Sequence, residues 1–82
     1  MREGWLMDPR TRWTYRFHRD DRSWSQDPMV FVDKGRPMTD GSPPLVKSRS
    51  HLHKDQAEQM WKDLVVGGWK RVPALWGAGV DV

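Results

Sequence analysis

Aromatic and basic residues alternate along residues 12–19, RWTYRFHR, and this pattern is compatible with two kinds of surface. Nucleic-acid-binding proteins place cations against phosphates and aromatic rings against bases. Four basic residues could form such a face: Arg12, Arg16, Lys47 and Arg49. In an extended strand, however, successive side chains point to opposite faces, so the rings and the arginines separate. The simpler interpretation is a strand with its rings buried and its arginines in water. Nucleic-acid binding is the alternative.

The histidines and carboxylates give weaker indications of chemistry. His51 and His53 could share one face of a strand, with His18 as a third metal ligand. A zinc site needs three or four well-placed ligands, and no cysteine is available to help. Asp20 and Asp21 are adjacent, which directs them to opposite sides of an extended chain rather than into an acid–base pair. No serine lies in a G-x-S-x-G motif. We therefore predict no enzymatic activity, no metal and no cofactor.

Two tryptophans are candidates for contacts with another protein. Trp24 lies in a polar segment, and Trp76 lies among small residues in WGAG. Rigid aromatic side chains of this type often fill a pocket on a partner protein. Alternatively, both rings fold back over the sheet edges or form the seam of a homodimer. For Trp76 we favour folding back, because a small core gains much from one more ring.

Composition limits the remaining possibilities. The chain has 82 residues, no cysteine and six tryptophans, and we expect one small domain over residues 1–82. Without disulfides, a reducing interior is the natural location. The first ten residues lack the apolar segment of a signal peptide, and no apolar run is long enough to span a membrane. We therefore predict a cytoplasmic protein that does not enter the membrane.

The charges are unevenly distributed along the chain. Residues 41–54 contain no carboxylate, whereas residues 20–33 contain four aspartates against one arginine. With a net charge of +3, this distribution predicts a basic side and a less basic side of the molecule.

Hydrophobic periodicity predicts four strands and a helix. The predicted strands cover residues 4–8, 12–18, 28–33 and 45–51, and the predicted helix covers residues 54–66. A long loop is expected at 33–44, and residues 69–72 are a short extended piece that could return to the sheet. Ala57, Met60, Trp61 and Leu64 form one apolar stripe on the helix.

These elements predict an α+β fold in the order ββββα. An antiparallel sheet of three to four strands packs against one C-terminal helix, and an extended tail follows. We expect Trp13, Tyr15 and Phe17 to lie beneath the helix, with the neighbouring arginines in solvent.

The segments GWLMDP, WTYRFH, MVFVDKGRPM, PPLVKSR and AEQMWKDLVVGGWKRV, in this order, resemble a known family. It comprises short uncharacterised proteins of marine cyanobacteria, described as a domain of unknown function. The family has no known activity, cofactor or site, so the resemblance implies no functional residue. It implies a small cytoplasmic cyanobacterial protein. The function that we favour is non-enzymatic binding or adaptor activity through protein–protein contacts.

Overall fold

The fold consists of one five-stranded sheet and one helix that packs against it. The structure is a computed structural model that describes residues 3–38 and 45–76. Within these residues the elements are β1 (Gly4–Met7), β2 (Thr14–Arg19), β3 (Met29–Arg36), β4 (Leu45–His53), α1 (Lys54–Val66) and β5 (Lys70–Val72). All neighbouring strands are antiparallel, in the order β4-β3-β2-β1-β5. The predicted α+β architecture is confirmed. The additional strand is β5, which returns to pair with β1.

Strand β3 extends three residues beyond its predicted end, into the segment that was expected to be a loop. Its last residues pair with both neighbouring strands: Gly35 lies opposite Thr14 of β2 and Val46 of β4. A side chain does not fit at this glycine, because a Cβ there would lie 2.9 Å from the Leu45 carbonyl oxygen and 2.9 Å from the Trp76 ring. Residues 39–44 of the predicted loop lie outside the described residues.

The helix begins and ends where the periodicity predicts. The Gln56 side chain accepts a hydrogen bond from the His53 backbone N–H at 3.2 Å, which satisfies a backbone donor where the chain enters the helix. At the other end, Gly68 has a φ of +99°, a conformation that L side chains rarely adopt. The Trp69 N–H then bonds to the Leu64 carbonyl at 3.0 Å, which directs the chain back toward β1.

One face of the sheet, the helix face, carries the apolar core. Its buried residues are Leu6, Phe17, Val30, Val32 and Ala57. Trp61 of the helix meets Phe17 edge-on at 5.1 Å, and Tyr15 stacks on Trp69 at 5.2 Å. The prediction that Tyr15 and Phe17 lie on the interior side is therefore confirmed.

For Trp13 that prediction is wrong. Trp13 precedes β2, and its ring contacts Lys34 and Arg36 rather than the helix. The preceding residue, Arg12, has a φ of +66°, so the chain turns immediately before Trp13. This turn places Trp13 at the end of the sheet.

Removing the Trp61 ring is expected to destabilise the fold. Trp61→Ala should lower the free energy of unfolding by about 3 kcal/mol, because the ring covers Phe17 and leaves a cavity when it is lost. Urea denaturation measures this change. Val66→Ala is the control, because Val66 is 88% exposed and its loss should change stability by less than about 0.5 kcal/mol. Equal stabilities for the two variants would contradict the packing described above.

Candidate functional site

The sheet face opposite the helix, called here the second face, carries polar and aromatic side chains in two cross-strand rows. In one row, Asp33 of β3 lies between Arg16 of β2 and Arg49 of β4. In the next row, Phe31 of β3 lies between His18 of β2 and His51 of β4. Alternation along each strand creates both rows, since residues i and i+2 share a face.

Asp33 is fully buried at the centre of this face. The guanidinium of Arg49 donates to both of its oxygens, from Nε at 2.7 Å and from Nη2 at 3.1 Å. His18 Nε2 donates to Oδ2 at 2.8 Å. A two-pronged arginine contact of this type is among the stronger polar interactions in proteins. The carboxylate is therefore fully engaged within the molecule.

The environment of Asp33 lowers its pKa, and two opposing effects contribute. Burial removes water and raises the pKa of the carboxyl. Hydrogen bonds and positive charge from Arg49 and His18 favour the ionised form, and together they outweigh burial, so the pKa of Asp33 is below its ordinary value. Asp33 is thus a stabilising anion.

A row of rings extends from His18 across the second face. Phe31 lies 5.4 Å from the His18 ring and stacks on His51 at 4.6 Å, measured between ring centroids. The Arg49 guanidinium lies 5.0 Å from the centre of Phe31. These contacts place an aromatic ring among basic groups on the second face.

Two further histidine–aspartate pairs hold residues 20–28, called here the β2–β3 loop, against β4. His51 Nε2 lies 2.9 Å from Asp20 Oδ2, and His53 Nδ1 lies 2.9 Å from Asp27 Oδ1. With Asp33 and Arg49, three carboxylates of the acidic segment contact three basic residues of the basic segment. Antiparallel pairing therefore brings the acidic segment and the basic segment of the sequence into contact.

The β2–β3 loop is also held by its own hydrogen bonds. Ser23 Oγ donates to the Asp20 carbonyl at 2.7 Å and accepts from the Met29 N–H at 3.1 Å. The Asp27 N–H donates to the Trp24 carbonyl at 2.9 Å. The Trp24 side chain is nevertheless 69% exposed. The loop therefore presents an indole to solvent from an ordered backbone.

Trp76, the other predicted anchor, folds back. Its ring is buried and meets Trp5 edge-on at 4.5 Å, against the backbone of Gly35. Its indole N–H has no hydrogen-bond partner among residues 3–38 and 45–76. Apolar contacts therefore account for its position. Trp76 is therefore buried rather than exposed, and the fold-back that the sequence favoured is confirmed.

The four residues of the nucleic-acid alternative do not form one patch. Arg16 and Arg49 share the second face on either side of Asp33, and the Arg16 guanidinium lies 5.2 Å from the Trp5 ring centre. Arg12 is exposed in the turn before β2. Lys47 is exposed at an irregularity of β4, where pairing passes from Ser48 to Val46.

Neither a cluster of metal-binding side chains nor a membrane-spanning helix occurs in the described part of the chain. Residues 3–38 and 45–76 contain no group of three or more His, Cys, Asp or Glu that could hold a metal ion. Over the same residues, no helix has the length and apolarity to cross a membrane.

Comparison with known proteins identifies a family. Residues 3–76 match the model of a protein of unknown function, DUF1651. The chain belongs to this family. No curated protein and no solved structure matches the chain. The resemblance to a domain of unknown function, inferred from the sequence motifs, is thus confirmed. Membership of DUF1651 does not indicate an activity for the arrangement of residues described above.

Sequence reasoning missed the cluster around Asp33. The segment 28–33 has apolar residues on both faces, so the buried carboxylate at its end resembled the start of a loop. The antiparallel pairing of β3 with β4 sets Asp33 opposite Arg49 and Phe31 opposite His51, and this pairing is the signal that could have revealed the cluster. That signal requires the register of β3 and β4, which the sequence pattern alone does not supply.

Replacing Asp33 tests its structural role. Asp33→Asn should lower the free energy of unfolding at pH 7 by about 3 kcal/mol, because Arg49 and His18 lose a buried anionic partner. The folded pKa of Asp33 lies below its unfolded value. Its contribution is therefore complete above pH about 4 and is lost as the pH falls through the folded pKa.

The difference between parent and Asp33→Asn should consequently shrink on acidification, which denaturant titrations at several pH values measure. Asp21→Asn is the matched control, because Asp21 is exposed and should show almost no effect. A constant difference down to pH about 2 would contradict an ionised, paired Asp33.

Proposed function

We propose that this protein is a non-enzymatic binding or adaptor module and that Trp24 is the anchor for a protein partner. The observation that supports this most directly is the 69% exposure of Trp24 on an ordered loop. The remaining tryptophans are all partly or fully buried: Trp5, Trp13, Trp61, Trp69 and Trp76. Tryptophan is enriched among the residues that dominate protein–protein binding energy.

The order of the β2–β3 loop strengthens this assignment. Binding through a flexible loop costs free energy, because the loop must be immobilised in the complex. Here the Ser23 bonds and the His53–Asp27 contact already hold the backbone on both sides of Trp24. Little ordering cost remains, so the burial of one indole can contribute most of its free energy to association.

The polar contacts also favour binding over catalysis. Each of the three histidines pairs with an aspartate. Among residues 3–38 and 45–76, no serine or threonine hydroxyl hydrogen-bonds to a histidine, so a nucleophile–base pair has no support there. We place this activity in the cytoplasm of a marine cyanobacterium, which the family resemblance and the lack of cysteine support.

A truncation of Trp24 tests the proposal. With a crosslinker, tagged parent protein should capture a discrete partner from its native cytoplasm, and Trp24→Ala should reduce that capture at least tenfold, as expected for an anchor worth about 2 kcal/mol. Arg22→Ala is the control, because it changes an exposed residue of the same loop. Both variants should melt within a few degrees of the parent. Equal capture by Trp24→Ala and the parent would refute the role of Trp24.

Nucleic-acid binding is the second candidate, and one observation favours it. Trp5 and Phe31 share the second face with Arg16 and Arg49, so rings and cations are interleaved there. Sheet-based readers of single strands use this combination. Against it, Asp33 already engages Arg49, and Phe31 is stacked on His51. We therefore rank it below protein binding.

Salt dependence distinguishes the two candidates. If phosphate contacts drive binding, affinity for mixed DNA and RNA should fall steeply between about 50 and 200 mM salt. Arg16→Ala, on the second face, should then weaken binding, whereas Lys62→Ala, on the exposed side of the helix, should not. Fluorescence anisotropy measures both effects. An absence of salt-sensitive binding would eliminate this candidate.

A further inference from the structure

A cavity of about 290 Å³ lies beside the loop that carries Trp24. Phe17 and Val30, both buried core residues, line it, and so do Ser25 and Pro28 of the β2–β3 loop. Ligand pockets for small molecules and cofactors usually occupy about 300–1,000 Å³. This cavity is at the lower limit of that range, which suits one large side chain better than a cofactor.

The β2–β3 loop therefore carries the exposed Trp24 ring and also forms one wall of the cavity. Trp24 does not line this cavity, and its side chain is 69% exposed. A ring and a hole that adjoin on one surface are self-complementary, since a two-fold axis between two copies places each ring at the other copy's hole.

The charges around the cavity complement those of the loop. Arg19, Lys54 and His18 line the cavity together with one carboxylate, Glu3, so its lining carries more basic than acidic side chains. Glu3 accepts a hydrogen bond from the Arg19 backbone N–H, and Lys54 lies 3.9 Å from Glu58. The loop carries three carboxylates and one arginine, of which Asp21 is exposed. When two copies pair, the acidic β2–β3 loop of each copy lies near Arg19 and Lys54 at the cavity of the other. Such complementarity favours the paired orientation over other contacts.

We propose that the partner of Trp24 is a second copy of this chain, with each Trp24 seated in the other copy's cavity. This inference rests on the proposed function and names its partner. Two rings and two short loops bury less surface than a standard interface of about 1,600 Å², so the dimer is weak and transient. Its dissociation constant is expected on the order of micromolar or weaker.

Sedimentation velocity of the full chain from about 10 μM to about 1 mM tests the proposal. The parent should shift from monomer to dimer across this range, with weaker association at high salt. Trp24→Ala removes the ring, and Ser25→Phe fills the cavity from an exposed position. Each variant alone should remain monomeric, and Arg22→Ala should dimerise like the parent.

Mixing the two variants provides the decisive measurement. In the mixture, Trp24 of the Ser25→Phe chain can still enter the open cavity of the Trp24→Ala chain. One of the two contacts is then restored, and a heterodimer weaker than the parent dimer should form. Parent-like melting temperatures for both variants show that they fold. Dimerisation of either variant alone, or no heterodimer in the mixture, would overturn the proposal.

The outcomes also separate this inference from the proposed function. If the parent is monomeric at every concentration, the second-copy proposal fails, including the case in which Trp24 closes into its own cavity. Capture of a different partner that depends on Trp24 would still support the proposed function. If Trp24→Ala changes neither self-association nor capture, both proposals fail.

Discussion

The buried carboxylate of Asp33 is the constraint on which the rest of the second face depends. A buried carboxylate is costly unless hydrogen bonds and opposite charge compensate for the lost water. Arg49 and His18 supply that compensation from the two neighbouring strands. Because these partners lie sixteen and fifteen residues away in sequence, they fix the register of β3 against both neighbours. A one-residue slip in either pairing would leave the charge without its partners.

The chain must also cover two faces of one sheet with few residues. The helix covers one face with Trp61 and its apolar stripe, as expected for a small α+β fold. On the other face, the tail returns and places Trp76 over Trp5 and the bare backbone of Gly35. Polar groups occupy the remainder, where Asp33 and Phe31 are enclosed by imidazole and guanidinium groups. This division lets a chain with only 37% hydrophobic residues bury Asp33 and Trp76 on the face that the helix does not cover.

The hydrophobic pattern of the sequence correctly predicted the features that depend on residues close together in the chain. The helix at residues 54–66 and the inward direction of Tyr15 and Phe17 follow from periodicity, and the structure agrees. Residues 69–72 were expected as a short extended piece that could return to the sheet, and β5 confirms this. Its pairing with β1 was not predicted, because only the assembled sheet brings the two strands together. Trp13 alternates with Tyr15, since Lys34 lies over both rings, but it lies before β2 and outside the residues that pack against the core. The pairing of Asp20, Asp27 and Asp33 with His51, His53 and Arg49 required a register that only the assembled sheet provides.

Trp24 is the residue that folding explains least. Its backbone takes part in the loop, because its carbonyl accepts the Asp27 N–H, but any residue could supply that carbonyl. Its indole makes no ring contact with the described residues and is 69% exposed. Elsewhere in this chain the large rings pack against other rings or beneath cations. An exposed indole on a rigid loop contributes little to stability and carries an apolar surface into water. A second surface that covered the ring would remove this apolar area from water, which is why the proposed binding role is placed on this loop rather than on the second face.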